Sequence, residues 1–189
     1  MSTDKSLSEM TLEELWELFP IILTEHNPCW VDWYSDEVRL LKSLLPNDVE
    51  YHHVGSTAIV GIMAKPIVDI LIVVNSSEQL KQVADILQEH NYIVMSVGKN
   101  RISLNEGYTE SGFAERVFHL HIRIKGDMNE IFFRDYLNAH PDVAKEYEQL
   151  KLRLWKEFEH NRDAYTDAKT DFVNKYTALA MSVYKKLDG

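Results

Sequence analysis

The sequence holds a single cysteine, Cys29. One thiol cannot form an internal disulfide, nor can it supply a cysteine-based zinc knuckle. A surplus of positive charge is also missing: 20 Lys and Arg stand against 30 Asp and Glu, for a formal net charge of −10. This argues against non-specific nucleic-acid binding, which needs an extended basic surface. A local basic pocket for a nucleotide or phosphate stays open. Long apolar runs are absent as well. The longest, Ile67 to Val74, is interrupted by Asp69 and falls far short of the roughly 20 residues that span a bilayer, so no membrane partner is expected. The opening MSTDKSLSEM has no basic stretch leading into an apolar one. A signal peptide is therefore not expected, and the expected compartment is the cytoplasm. What is present is ordinary for a globular protein: 189 residues, 45% apolar and 26% charged, enough for one domain with a substantial core.

Residues 1–10 are polar and read as a frayed tail, with a single domain over 11–189. Thr11 followed three residues later by Glu14 is a capping-box pattern, which predicts a short helix through "TLEELWELF". "IILTEHNP" reads as a first strand ending at Pro28. Trp30, Trp33, Tyr34, Val38, Leu41 and Leu45 recur at helical spacing as far as Pro46. "VEYHHV" and "IVDILIVV" read as strands on either side of a Gly-Ser turn. Ser76 and Gln79 cap a helix whose Leu80, Val83, Ala84 and Leu87 share a face, and "YIVMSV" and "RISLNE" read as further strands. "VFHLHIRIK" alternates, with Phe118, Leu120, Ile122 and Ile124 on one side and His119, His121 and Arg123 on the other. From about Met128 to Leu187 the pattern is helical, with breaks near Pro141 and at "HNRD", giving three C-terminal helices. The fold class is α+β, a mixed sheet flanked by helices and followed by a helical segment.

The chemistry centres on Gly55, Ser56 and Thr57, which open a turn, and on Asp69 in the next strand. Glycine lets backbone approach an anion, and hydroxyls and a helix N-terminus offer donors. An acid on the following strand suits the divalent metal that accompanies a triphosphate. The spacing resembles the nucleotidyltransferase pattern of a Gly-Ser turn followed by an acid–hydrophobic–acid strand. "HVGSTAIVGIMAKPIVDI", "FRDYL", "EYEQLK" and "YTDAKTDF" together resemble the GrpB family, from about Trp30 to the final helix. That resemblance implies a nucleotidyltransferase-like fold, a nucleotide or phosphorylated small-molecule ligand, and a divalent metal, Mg or Mn, at Asp69. The pattern departs at one point. Alternation puts residues 69 and 71 on one face, and residue 71 is Leu71 where the pattern has a second acid. The neighbouring strand, expected to bring a third acid, brings His119 and His121, which suit a transition metal better than magnesium.

His53, His119 and His121 are thus candidate metal ligands with Asp69, and ordinary hydrogen-bonded strand histidines are the alternative. Asp69 itself has a plainer reading as an acid paired with Lys65, Arg123 or a histidine, and Ser56 has one as a helix cap. Lys65, before Pro66, lies in extended chain where it faces either an anion or solvent. Tyr147 and Lys151, and again Tyr165 and Lys169, set a lysine four residues after a tyrosine on an otherwise aromatic stripe. Either the two ammonium groups snorkel outward, or Lys151 and Lys169, with Arg123, hold phosphate in a cleft opposite Asp69. Arg134 and Asp135 read as a structural ion pair. Three functions remain open: a nucleotidyltransferase that moves a nucleoside monophosphate, a non-catalytic nucleotide- or phosphate-binding regulatory module lacking the second acid, and a His/Asp metal-dependent hydrolase. The oligomeric state is left open.

Overall fold

The computed structural model describes residues 5–187. Five strands, β1 (Glu50–Val54), β2 (Val68–Val74), β3 (Ile93–Val97), β4 (Arg101–Thr109) and β5 (Gly112–Ile124), form one sheet in the order β1-β2-β5-β4-β3. β2 and β5 run parallel and every other neighbouring pair is antiparallel. Helices α1 (Leu12–Leu18), α2 (Cys29–Leu44) and α3 (Ser77–Glu89) precede or interrupt the strands. Helices α4 (Asn129–Ala139), α5 (Pro141–Phe158), α6 (Arg162–Asp167) and α7 (Thr170–Leu187) follow them. The class is α+β, as the alternating and helical patterns indicated. Among the described residues no helix is long and apolar enough to cross a membrane.

Local chemistry sets the boundaries. Thr11 Oγ1 accepts from the Glu14 amide at 3.2 Å while the Thr11 amide donates to Glu14 Oε2 at 2.8 Å, so two otherwise orphaned donors start α1. Ser76 Oγ accepts from the Gln79 amide to start α3. Pro141 opens α5, where its missing N–H costs nothing. Asn161 Oδ1 accepts from the Ala164 amide at 3.0 Å, which makes the "HNRD" break a helix cap.

The two faces of the sheet differ. Toward α2 and α3 it presents Val68, Ile70, Ile72, Val74, Leu120 and Ile122, all fully buried against Leu41, Leu80, Val83 and Leu87. Burial on this scale is worth about 1.5–3 kcal/mol per large aliphatic side chain, and it makes this layer the main core. Toward the C-terminal helices, Val54, Leu71 and Val73 pack under Ile131 of α4. Ile59 and Ile62, from the segment between β1 and β2, join Phe133, Leu137 and Tyr147 in a further cluster.

Three expectations are corrected. Residues 1–4 of the expected tail lie outside the described residues. Residues 5–10 are folded rather than frayed: a 3-10 turn, Leu7–Glu9, follows Ser6, and Lys5 reaches Glu14 at 2.8 Å. "IILTEHNP" is extended, with Ile21 and Leu23 buried and Ile22 exposed, but it makes only an isolated bridge, Thr24 to Ala64. The extended chain is as expected, but among the described residues it has no ladder partner. The last of the three C-terminal helices is divided, because α6 ends at Asp167 and α7 starts at Thr170.

Candidate functional site

Asp69 stands on β2 directly opposite His119 of β5 in the ladder register. Its carboxylate rests against the Gly-Ser turn. Gly55 has φ +71°, and a Cβ there would lie 2.1 Å from Asp69 Oδ2. Glycine is required twice over, by the left-handed backbone and by the acid occupying the space of a side chain.

Two imidazoles converge on the other carboxylate oxygen. His121 Nε2 lies 3.0 Å from Asp69 Oδ1, and His119 Nδ1 lies 3.5 Å from the same atom. Each ring's second nitrogen is also engaged. His119 Nε2 is 2.9 Å from the Tyr108 hydroxyl, and His121 Nδ1 is 3.4 Å from Ser103 Oγ. Arg162 Nη2 donates to the Tyr108 oxygen at 2.8 Å. A chain of contacts follows: Arg162 donates to Tyr108, the Tyr108 hydroxyl meets His119 Nε2, and His119 Nδ1 faces Asp69. A neutral His119 with its proton on Nδ1 fits this chain. Burial lowers the His119 pKa, outweighing the attraction of Asp69. Burial would raise that of Asp69, but the two histidines outweigh it and hold the carboxyl well below the usual range.

This cluster forms one wall of a cavity of about 1260 Å³ between the sheet and the helices. Lys65, Lys151, Lys169 and Arg162 line it too. Lys65 and Lys169 lie over the same ring, with Nζ 5.6 Å and 4.1 Å from the Tyr165 centroid. Lys151, 2% exposed, donates to the Met63 carbonyl and lies 4.9 Å from the Tyr147 centroid. Among the described residues none of the four pairs with a carboxylate, although Lys145 nearby is bound to Glu148 at 2.9 Å. Burial first, then neighbouring positive charge, pushes Lys65 and Lys151 down to about 7 and Lys169 down to about 8.

The sequence-derived residues divide accordingly. Gly55, Ser56, Lys65, Asp69, His119, His121, Lys151 and Lys169 border this cavity. Three others do not join them. His53 does lie on a strand beside β2, but it is paired with Ile70 and so faces the opposite side of the sheet. There it stacks on Tyr34 at 5.0 Å and meets Thr57 Oγ1 at 3.0 Å; burial pushes it down to about 4. Thr57 is 1% exposed and serves His53 rather than the cavity. Arg123 shares the Asp69 face but donates to Glu130 at 3.0 Å and has Asp127 at 3.9 Å. Arg134 pairs with Asp135 at 2.7 Å and donates to the His53 carbonyl, the structural role read from the sequence. Tyr108 and Arg162 were missed. No periodicity marks either, since one lies near a hairpin end and the other in a capped break.

The donors do not suit a divalent metal. Among the described residues no group of three His, Cys, Asp or Glu side chains is arranged to hold one. Asp69, His119 and His121 satisfy one another and their neighbours instead. Leu71, fully buried under Ile131, cannot be exchanged for an acid without placing a charge in that contact.

The mixed sheet with its flanking helices is nucleotidyltransferase-like in fold. Solved structures of the poly(U) polymerase Cid1, with MgATP or with Mg and 3'-dATP bound, superpose with TM-scores of 0.51 and 0.52. They are 11% and 10% identical in sequence, cover 77% and 83% of this chain, and are themselves covered over 46% and 51% of their lengths. The likeness is one of fold. The chain belongs to the GrpB family, whose profile, described as "GrpB protein", matches residues 20–179. The glutamate-rich protein GrpB of Alkalihalophilus pseudofirmus is 36% identical over 163 residues, covering 82% of this chain and 92% of that one. YqkA of Bacillus subtilis is 33% identical over 152 residues, or 78% of this chain, which spans 43% of YqkA's length. The crystal structure of GrpB from Enterococcus faecalis superposes with a TM-score of 0.75 at 27% identity, over 86% of this chain and 99% of that one.

Proposed function

We propose that this protein binds a nucleotide or another phosphorylated small molecule between the sheet and the C-terminal helices. The observation that carries the reading is the set of four cations, Lys65, Lys151, Lys169 and Arg162, lining one cavity without carboxylate partners in a chain of net charge −10. Lys151 is buried and Lys65, Lys169 and Arg162 are half-buried; cations drawn out of water are costly unless paired, and a phosphate ligand would pair them. Ser56 and the Gly-Ser turn supply further donors at the same wall, and Tyr147 and Tyr165 supply rings beside the lysines.

Of the catalytic and non-catalytic versions, the geometry favours a binding module. Nucleotidyl transfer by the two-metal route needs several hard oxygen ligands; among the described residues no other acid is grouped with Asp69 to hold a metal, and the site of its partner acid is the buried Leu71. A metal hydrolase built on His119 and His121 fares no better, since all four imidazole nitrogens are engaged. Transfer of a nucleoside monophosphate remains the second reading, supported by the position of Asp69 after the Gly-Ser turn in this fold.

Thermal unfolding with each nucleoside triphosphate tests the reading. Ligand at about 100 times its dissociation constant stabilises by roughly 2.7 kcal/mol, which for a chain of this size raises Tm by about 5–10 °C. The rise is expected in wild type and is expected to shrink in Lys169→Gln. No rise with any triphosphate would overturn it. Release of pyrophosphate with a nucleotide-bearing product would instead establish transfer.

A further inference from the structure

The charge in the cavity is arranged for an anion and against a dication. Lys65 is close enough to Lys169, Arg162 and Lys151 for each to disfavour its proton, and Asp69 is the opposing acid in that set. That acid is already committed: Oδ1 meets two imidazoles, and Oδ2 presses on the Gly55 backbone. Glu110, Asp127, Glu130 and Asp163 line the cavity as well, with Asp127 and Glu130 turned to Arg123. A divalent cation beside Asp69 would meet that one committed carboxylate and the four like charges, whereas a two-metal centre is assembled from several hard oxygens.

We propose that the cavity takes a polyphosphate group as a bare anion, with Lys65, Lys151, Lys169 and Arg162 supplying the neutralisation that metal ions supply in two-metal centres. The inference rests on the phosphate-ligand reading above and narrows it to metal-independent binding. The four cations contribute differently. Arg162 is oriented by its bond to Tyr108 and keeps most of its planar fork free, the geometry suited to phosphate oxygens. Lys65 and Lys169 are held over one ring, so their ammonium groups present donors from a shared platform. Lys151 gives one donor to the Met63 carbonyl and retains two. Because the three lysines bind protons weakly in the free site, a polyanion arriving among them draws protons in. Binding is therefore accompanied by proton uptake, facing Asp69, Glu148, Lys145, Tyr147 and Tyr165 as the neighbouring ionisable groups.

The test is calorimetric titration of the whole chain with sodium tripolyphosphate at pH 8, in EDTA and again in excess magnesium, each in two buffers of different ionisation heat. Binding is expected in EDTA, weaker in magnesium because the metal withdraws the free anion, and with net proton uptake. Lys169→Ala and Lys169→Gln, both at the α6–α7 junction, are expected to weaken binding about tenfold or more, as loss of a charge-assisted hydrogen bond does. Asp69→Asn is expected to bind as well as wild type or better, since it removes a negative charge from the wall. Binding that requires magnesium and is lost in Asp69→Asn would overturn the inference and leave the phosphate reading standing. No binding of tripolyphosphate or of any nucleoside triphosphate, in EDTA or magnesium, would overturn both.

Discussion

Strand β2 has two sides, and they are built on opposite rules. Val68, Ile70, Ile72 and Val74 point into a dry aliphatic layer shared with α2 and α3. Asp69, Leu71 and Val73 point the other way, and within that short row the surroundings change from a polar cavity to a buried contact. The difference shows how one strand serves two purposes. The α2–α3 side holds the sheet, so the helical side can carry a carboxylate, two imidazoles and unpaired cations at a cost in stability. Leu71 is the boundary. It belongs to the stabilising part of the functional face, which is why an acid is missing there.

The most severe way to break the comparison is Leu71→Asp, which restores the acid–hydrophobic–acid spacing. It is expected to destabilise by about 3–5 kcal/mol, the scale for an uncompensated buried charge, and to create no metal site. Equilibrium denaturation with and without manganese checks it; a stable variant that binds manganese would show that α4 yields easily. Next is Gly55→Ala, which brings a methyl into the space of Asp69 Oδ2 at a left-handed backbone position. A loss on the order of 1–3 kcal/mol is expected, with chemical shifts changing at His119 and His121 as the carboxylate is displaced.

A third effect is a slope. The folded-state pKa values of Lys65, Lys151 and Lys169, about 7, 7 and 8, lie below the ordinary 10.5. Between those values the unfolded chain binds more protons than the folded one, so stability rises with pH. Below pH 7 this contribution levels off, with the lysines charged in both states. The ligand-free protein is expected to resist urea better at pH 9 than at pH 7, with a shallower rise in Lys151→Met. Equal slopes would show that Lys151 keeps its charge in the empty cavity.

Much of this was legible in the sequence because alternation and capping are local. "VFHLHIRIK" does place His119, His121 and Arg123 on one side, and Thr11, Ser76 and Pro141 start helices where their chemistry says they should. Asp69 and the two lysines at Tyr-x-x-x-Lys spacing do meet at one cavity. What was illegible depends on register and distant packing. His52 and His53 are adjacent, so only the ladder pairing decides which of them faces Asp69's side, and it is not His53. Arg123 read as a partner for Asp69 or for phosphate and is engaged by Glu130 in the fold. Leu71 read as a departure from a motif, and only the position of Ile131 gives it a physical cause.

The enclosed cations also have a kinetic consequence. They sit inside a body whose formal charge totals −10, so the rest of the molecule is more acidic still. A polyanion diffusing from afar meets repulsion first and attraction only within roughly a Debye length of the cavity, about 8 Å at physiological salt. Added salt screens the outer field more than the enclosed one, so moderate ionic strength hastens arrival while weakening the bound state. Such a site favours ligands that arrive slowly and stay, the reverse of electrostatic steering.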